Sequence, residues 1–498
     1  MDHPQIKRVV IAGGGTAGWV TAAALVKHLG ALIDITLVES DAIGTVGVGE
    51  STIPTARTFH QFLGINEPVF VSATQASFKL GIEFENWRHI GDRYFHSFGS
   101  VGRSVLTADF QHFWLEARRQ GFGGDFGDYS LELQAAASGK FATSPESPLA
   151  YAYHLDATAY ARFLRGLAEP AGVTRVEGKI IDVAQNAESG LIDALVLDSG
   201  IRIEGDLFID CTGFRALLID GAMNAAFEDW SQWLSTDSAF AVQTESTGAP
   251  VPYTRAIAHE AGWRWRIPLQ HRVGNGLVFS SADMSDDAAR SLLLDLIDGT
   301  PLFDPRLIRY RSGFRPPWKG NCIALGLSGG FLEPLESTSI HLIMIGVTRL
   351  IQLFPFDGLA PALADRFNDQ TRREWEHVRD FLIMHYKLTD RDDSSFWRRC
   401  RDMPIPDSLA ARIALFREAA MAHQGPDELF RIDSWVQVMM GQGIEPGGYH
   451  HIARTMPPEQ LSEALGNLRQ EIAARLAPMP SHQEFLRRYA PAPVPTSA

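Results

Sequence analysis

Apolar positions change their period along the chain. Val9, Val10, Ile11 and Ala12 form an unbroken run, the pattern of a strand buried on both faces. Gly13-Gly14-Gly15-Thr16-Ala17-Gly18 follows, and the stretch Trp19 to Leu29 is rich in Ala and Leu, which predicts a helix packed tightly on a sheet. Ile33 to Val38 predicts a second strand, ending in Glu39, so the opening is a βαβ unit. Ser77 to Phe98 is aromatic and charged by turns, and residues 119–148, rich in Gly and Ser, read as a long excursion. Ala157 to Leu167 predicts a helix. Short strands are expected over 176–213 and 250–282, then a strand, a loop and a buried helix over 320–354. After Pro355 the pattern is mostly helical; Leu461, Leu465, Leu468, Ile472 and Leu476 fall on one helical face.

These elements predict an α/β protein. A Rossmann-like domain with mixed sheets spans 1–354, interrupted by insertions near 77–150 and 215–300. A helical region over 355–490 covers the substrate side, and 491–498, rich in Pro, is a flexible tail. A length of 498 residues corresponds to roughly three domain-sized units. With 45% hydrophobic and 21% charged residues, it has the composition of an ordinary globular protein. The net charge of −14 argues against nucleic acid or an anionic membrane as the main partner. No apolar run is long enough for a membrane span, and no signal peptide fits ahead of Val9. Cys211, Cys322 and Cys400 lie far apart in no ligand spacing, which predicts no disulfide framework, no metal site and a cytoplasmic setting. The pair His450-His451 lacks further ligand spacing.

Gly13, Gly15 and Gly18 form G-x-G-x-x-G between a strand and a helix. In this motif one glycine makes the tight turn, one admits a pyrophosphate to the backbone, and one lets helix and strand pack closely. The helix N-terminus, at Thr16 and Ala17, then offers free N–H groups to phosphates. Glu39 follows 21 residues after Gly18, where a carboxylate accepts hydrogen bonds from a ribose. The fingerprint alone leaves FAD and NAD both open. Asp210-Cys211-Thr212-Gly213, at the end of a later strand, is similar to the late motif of FAD-binding folds.

Gly262-Trp263-Arg264-Trp265-Arg266-Ile267-Pro268 contains W-x-W-x-I-P. Strand alternation puts Trp263, Trp265 and Ile267 on one face, which taken alone fits an aromatic core. Together with the fingerprint, the segment ending at Pro268 resembles the signature of flavin-dependent halogenases, whose best-known members act on tryptophan. Three further segments resemble the same family in the same order. Gly47-Val48-Gly49-Glu50-Ser51-Thr52-Ile53-Pro54 resembles the strap that contacts the flavin, which implies Gly49, Glu50 and Ser51 as contacts. Phe78-Lys79-Leu80 resembles the catalytic-lysine segment, and Pro334-Leu335-Glu336-Ser337-Thr338 the catalytic-glutamate and halide segment.

The resemblance implies that reduced FAD and oxygen convert chloride or bromide to hypohalous acid, which crosses the protein to an electron-rich aromatic substrate. It implies Lys79 and Glu336 as catalytic residues. A lysine in the apolar run Phe78–Ile82 is a directed donor or an amine of lowered pKa, although any one lysine more often snorkels at a surface. Glu336 suits a general base for the ring proton, or a carboxylate supporting a helix start. Ser337 or Thr338 is expected to cap the helix from Ile340 to Phe354. The resemblance places the halide near Thr338 and Ser339, the latter standing where many relatives carry Gly, and Leu327 beside the flavin. A single nucleotide fingerprint implies a separate flavin reductase; a homodimer is compatible with the family. The other readings are an aromatic hydroxylase and a non-catalytic FAD-binding protein. The expected late Gly-Asp of the hydroxylases is missing from Gly326-Leu327-Ser328-Gly329-Gly330.

His96-Ser97-Phe98-Gly99 resembles the segment that supplies one side of the indole sandwich, which implies His96 and Phe98 as substrate contacts. The tyrosine pair of tryptophan-specific members is absent near 430–455, the lid there is shortened, and Trp435 reads as core. An open site for an indole-like aromatic, turning over free tryptophan poorly, is therefore expected.

Overall fold

The computed structural model describes residues 5–44, 50–143 and 149–490. Gly49 and residues 491–498, for which a tail is expected, lie outside them. A six-stranded sheet carries the glycine turn, in the order Trp318–Lys319, Cys322–Ala324, Leu207–Asp210, Arg8–Ala12, Asp34–Glu39, Thr174–Glu177. All its neighbours are parallel except the outermost hairpin. Val9 pairs with Ile35 on one side and Leu207 on the other. Alternate residues serve opposite layers. Val9 and Ile11 pack with Leu25 and Val347 of helices Thr16–Leu29 and Ser339–Gln352. Val10 and Ala12 pack with Leu195 and Ile219 on the other face. That two-sided burial is why the first strand is apolar at every position after Arg8.

The second large sheet has seven strands: Arg306–Arg309, Ser238–Glu245, Arg272–Phe279, Gly262–Pro268, Thr254–His259, Gly81–Glu85 and Arg93–Ser97. A small antiparallel sheet joins Glu50–Ser51, Ala152–Leu155 and Ser77–Lys79. Lys79 pairs with Ala152 there, and the next strand, beginning at Gly81, already belongs to the seven-stranded sheet. Lys79 is thus fixed at the seam between two sheets.

The 27-residue helix Pro361–Lys387 starts with Pro at its first position, where no N–H is needed. Its Val378, Phe381 and Leu382 share one core with Trp263, Trp265 and Ile267 of the seven-stranded sheet. The expected excursion after residue 119 is partly helical: Ser130 accepts from the Leu133 N–H and starts helix Leu131–Ala137, whose Ala135 and Ala136 are buried. In helix Pro458–Leu476, Leu461 and Leu465 are buried as their spacing predicts. Among the described residues no helix is long and apolar enough to cross a membrane, and no group of three potential metal ligands occurs.

Candidate active site

The glycine turn opens into a cavity of about 850 Å3, near the upper end for small-molecule sites. Gly13 is at φ 106°, and a Cβ there would lie 2.4 Å from the Cys211 carbonyl oxygen. A Cβ on Gly18 would lie 1.9 Å from the Gly13 carbonyl oxygen, so this glycine sets helix–strand packing. Gly15 differs. Its φ is −75°, open to any residue, and among the described residues a Cβ would meet nothing within 4 Å. Neither backbone nor packing requires glycine there; the space it leaves belongs to the cavity, at the N-terminus of helix Thr16–Leu29.

Thr16, Ala17, Glu50, Ser51 and Leu327 line this cavity. Glu39 also faces it, with Oε1 2.5 Å from Arg175 Nε and Oε2 accepting from Trp19 Nε1 at 3.3 Å. Burial and nearby Asp156 push the Glu50 carboxyl up to about 7. Asp210 is no cavity residue: its carboxylate accepts the N–H groups of Thr212, Leu218 and Ile219, each at 2.9 Å, and Cys211, Thr212 and Gly213 face the cavity instead. The residues present fit FAD: space at Gly15, helix N–H groups for a pyrophosphate, and a carboxylate at the end of the second strand.

Trp263, Trp265 and Ile267 share one face and line the cavity. Trp265 lies over Gly276, where a Cβ would be 2.0 Å from its ring. Trp263 Nε1 approaches Glu333 Oε2 at 3.4 Å, and Thr236 Oγ1 donates to the same oxygen at 2.7 Å. Pro268 ends the strand and accepts from Ser77 Oγ at 2.5 Å.

Lys79 is no snorkelling lysine; its side chain is wholly buried. Nζ donates to Ser337 Oγ at 2.8 Å and to the Thr52 carbonyl at 3.4 Å, and lies 5.1 Å from the centroid of Phe98. Burial lowers the ammonium pKa to about 7, against the pull of the nearby Glu336 charge. Glu336 is equally buried. Burial alone would raise its pKa, but His96 and His385 hold it at about 2. His96 Nδ1 lies 2.9 and 3.1 Å from the two carboxylate oxygens. His385 Nε2 lies 2.9 Å from Oε1, an ion-pair distance off the line of an ideal hydrogen bond.

Two expectations change. His96 does not stand on an open wall: it is 2% exposed and engaged with Glu336, near the stacked rings of Phe381 and Phe430. Neither Ser337 nor Thr338 caps the following helix through its side chain. An N-cap needs extended backbone, whereas Thr338 is at φ −86°, ψ −13°, and its buried Oγ1 has no hydrogen-bond partner among the described residues. Ser337 is left-handed at φ 60° and its hydroxyl serves Lys79. Such a conformation costs on the order of 1 kcal/mol and marks a constrained loop. The helix begins at Ser339, which lines the cavity together with Ser337. Trp435 is core, edge-on to Phe381 at 4.8 Å.

Sequence reasoning missed His385. It stands 49 residues beyond Glu336 on a helix, among Phe381, Leu382 and Tyr386, with no motif to mark it. Ser337 was named as a cap, not as the partner of Lys79.

A cavity of this size lined by the glycine turn and by Trp263 and Trp265, with the buried Lys79 bonded to its wall residue Ser337, is the arrangement the resemblance to flavin-dependent halogenases leads one to expect. The sequence profile described as tryptophan halogenase matches residues 8–458, and the chain belongs to that family. It is 34% identical to the tryptophan 7-halogenase RebH of Lentzea aerocolonigenes, over 97% of this chain and 99% of the relative. Among solved structures, a flavin-dependent halogenase from Xanthomonas campestris is 55% identical over 99% of this chain and 100% of its own, with a TM-score of 0.97. One from Brevundimonas sp. BAL3 is 46% identical over 98% and 100%, with a TM-score of 0.94. The family relationship favours halogenation over the hydroxylase reading.

Proposed function

We propose that this enzyme uses reduced FAD, oxygen and chloride or bromide to halogenate an indole-like aromatic compound, with Lys79 and Glu336 as its catalytic pair. The observation that carries the reading is their joint burial, with Lys79 bonded to Ser337, a wall residue of the cavity.

The chemistry supplied by bound reduced FAD is oxidation of the halide by oxygen to hypohalous acid. The turn at Gly13, Gly15 and Gly18, with Thr16 and Ala17, would hold its pyrophosphate and Glu39 its ribose. Gly49, Glu50, Ser51 and Leu327 would hold the ring system. Thr338 and Ser339, at the start of a helix with free N–H groups, would hold the halide. Trp263 and Trp265 keep the aromatic substrate away from the flavin. Lys79, with its pKa near 7, donates a hydrogen bond to the hypohalous acid and directs it toward the ring. Glu336, anionic throughout the working pH range, takes the proton from the ring carbon that acquires the halogen. Phe98 contacts the substrate, and His96 contributes by fixing Glu336.

The relative RebH acts on tryptophan as a 7-halogenase. Here the missing tyrosine pair and the closed packing of Trp435 favour indole or an indole-like compound over the free amino acid. A separate flavin reductase supplies the reduced cofactor, in the cytoplasm, and the protein acts alone or as a homodimer. The test is a panel of indoles, phenols and tryptophan, incubated with FAD, a reductase and each halide and read by mass spectrometry. Halogenated indoles exceeding halogenated tryptophan are expected. Oxygenated products without halogen would overturn the reading.

A further inference from the structure

Behind Glu336 lies a closed circuit of hydrogen bonds. Gln442 Nε2 donates to the His385 carbonyl at 2.8 Å and to Tyr94 Oη at 3.2 Å. Tyr94 Oη lies 2.7 Å from His385 Nδ1, and His385 Nε2 faces Glu336 at 2.9 Å. All four side chains are buried, and the Tyr94 ring is stacked on Phe84, 4.8 Å between centroids.

Donor counting orients the circuit. A carbonyl accepts only, so the His385 carbonyl requires the amide nitrogen of Gln442 to face it; the flipped amide would set two carbonyl oxygens 2.8 Å apart. That nitrogen only donates, so Tyr94 Oη accepts from it. The one phenolic proton must then go to His385 Nδ1. Burial raises the Tyr94 pKa well above its ordinary value, so this proton is present at any working pH. Burial also lowers the His385 pKa, against the pull of Glu336, which leaves the ring neutral near pH 7 with one N–H to place. With Nδ1 accepting, that N–H is on Nε2, the ring nitrogen 2.9 Å from Glu336 Oε1 though off the line of an ideal hydrogen bond.

We propose that Tyr94 and Gln442 are positioning residues that set the Nε2–H tautomer of His385 and thereby hold Glu336 ready as the base. The opposite tautomer would turn a lone pair toward the carboxylate and leave two acceptors facing each other. The consequence for catalysis rests on reading Glu336 as the base; the tautomer does not.

The test uses the full-length protein labelled with 15N-histidine, with the His385 ring signals assigned by their loss in His385→Gln. Long-range 1H–15N spectra are expected to show a pyridine-like Nδ1 and a protonated Nε2. Tyr94→Phe keeps the stacked ring and is expected to shift His385 toward a tautomer mixture. With indole and bromide, its kcat for halogenation should fall about tenfold at unchanged KM. Gln442→Met, of similar length, should shift the same signals. An unchanged His385 tautomer in Tyr94→Phe, or full halogenation by that variant, overturns the proposal. The spectra are read without substrate, so full activity of Glu336→Gln would overturn the base assignment separately.

Discussion

Lys79 Nζ donates to Ser337 Oγ over 2.8 Å, and Ser337 is also a wall residue of the large cavity. Ser337 therefore ties the wall of the cavity to the buried lysine. Ser337 has left-handed backbone at φ 60°, and its hydroxyl is taken by Lys79 rather than by the helix that follows.

Ser337→Gly separates these two roles. Glycine adopts φ 60° without strain, so the variant's melt should fall by no more than the lost Lys79 hydrogen bond and glycine's chain entropy account for. Lys79 loses its side-chain acceptor and its fixed direction, and halogenation should fall about tenfold. Flavin affinity should be unchanged. Thermal melts, FAD titration and product rates on one preparation check all three.

Gly15→Val and Gly18→Val should fail differently. At Gly15 a side chain has an ordinary φ and open space, so the protein should fold with an unchanged melt and lose FAD. At Gly18 the Cβ would lie 1.9 Å from a backbone carbonyl, so folding itself should suffer. A folded Gly15→Val protein with full FAD affinity would show that the cavity at the glycine turn is not the cofactor site.

The contrast between those glycines shows what the sequence could carry. The G-x-G-x-x-G spacing located the turn, and the period of Trp263, Trp265 and Ile267 located their shared face, because both are local. A backbone strain requirement at Gly15 was not readable and does not exist. Lys79 could be read as surface or core until the seam between two sheets decided it. The segment around His96 marks it as a substrate contact, but nothing local marks its bond to Glu336, 240 residues away. His385 and the Tyr94–Gln442 pair arise only when the long helix is laid against the strand Arg93–Ser97.

Glu333 gives a pH prediction. Burial raises its pKa, while Thr236 and Trp263 oppose the shift by donating to it. A raised carboxyl pKa contributes stability below the unfolded value of 4.5, lost as pH rises through the folded pKa. Glu333→Gln keeps the acceptor for Trp263 and Thr236 and removes the ionisable group. The variant should melt close to the parent at pH 5 and above it at pH 8. Equal melting temperatures at both pH values would show that the buried carboxyl carries no such cost.

Lys79→Met joins stability to chemistry. In the parent the ammonium pKa falls from 10.5 to about 7 on folding, so between those values the unfolded chain binds a proton that the folded chain does not. Stability therefore rises with pH across that window, at about 1.4 kcal/mol per unit, and the cost is nearly complete at pH 7. Methionine, similar in length and uncharged, carries no such cost. Lys79→Met should melt above the parent at pH 7, with the difference shrinking toward pH 10. It should also keep its FAD and its oxidation of reduced flavin by oxygen, since Lys79 acts after that step. Transfer of halogen to indole should drop about 100-fold or more. A variant that is more stable and still consumes reduced flavin, yet transfers no halogen, would identify the buried amine as held for chemistry at the expense of stability. Halogenation at the parental rate would make Lys79 a packing residue and return the function to the hydroxylases.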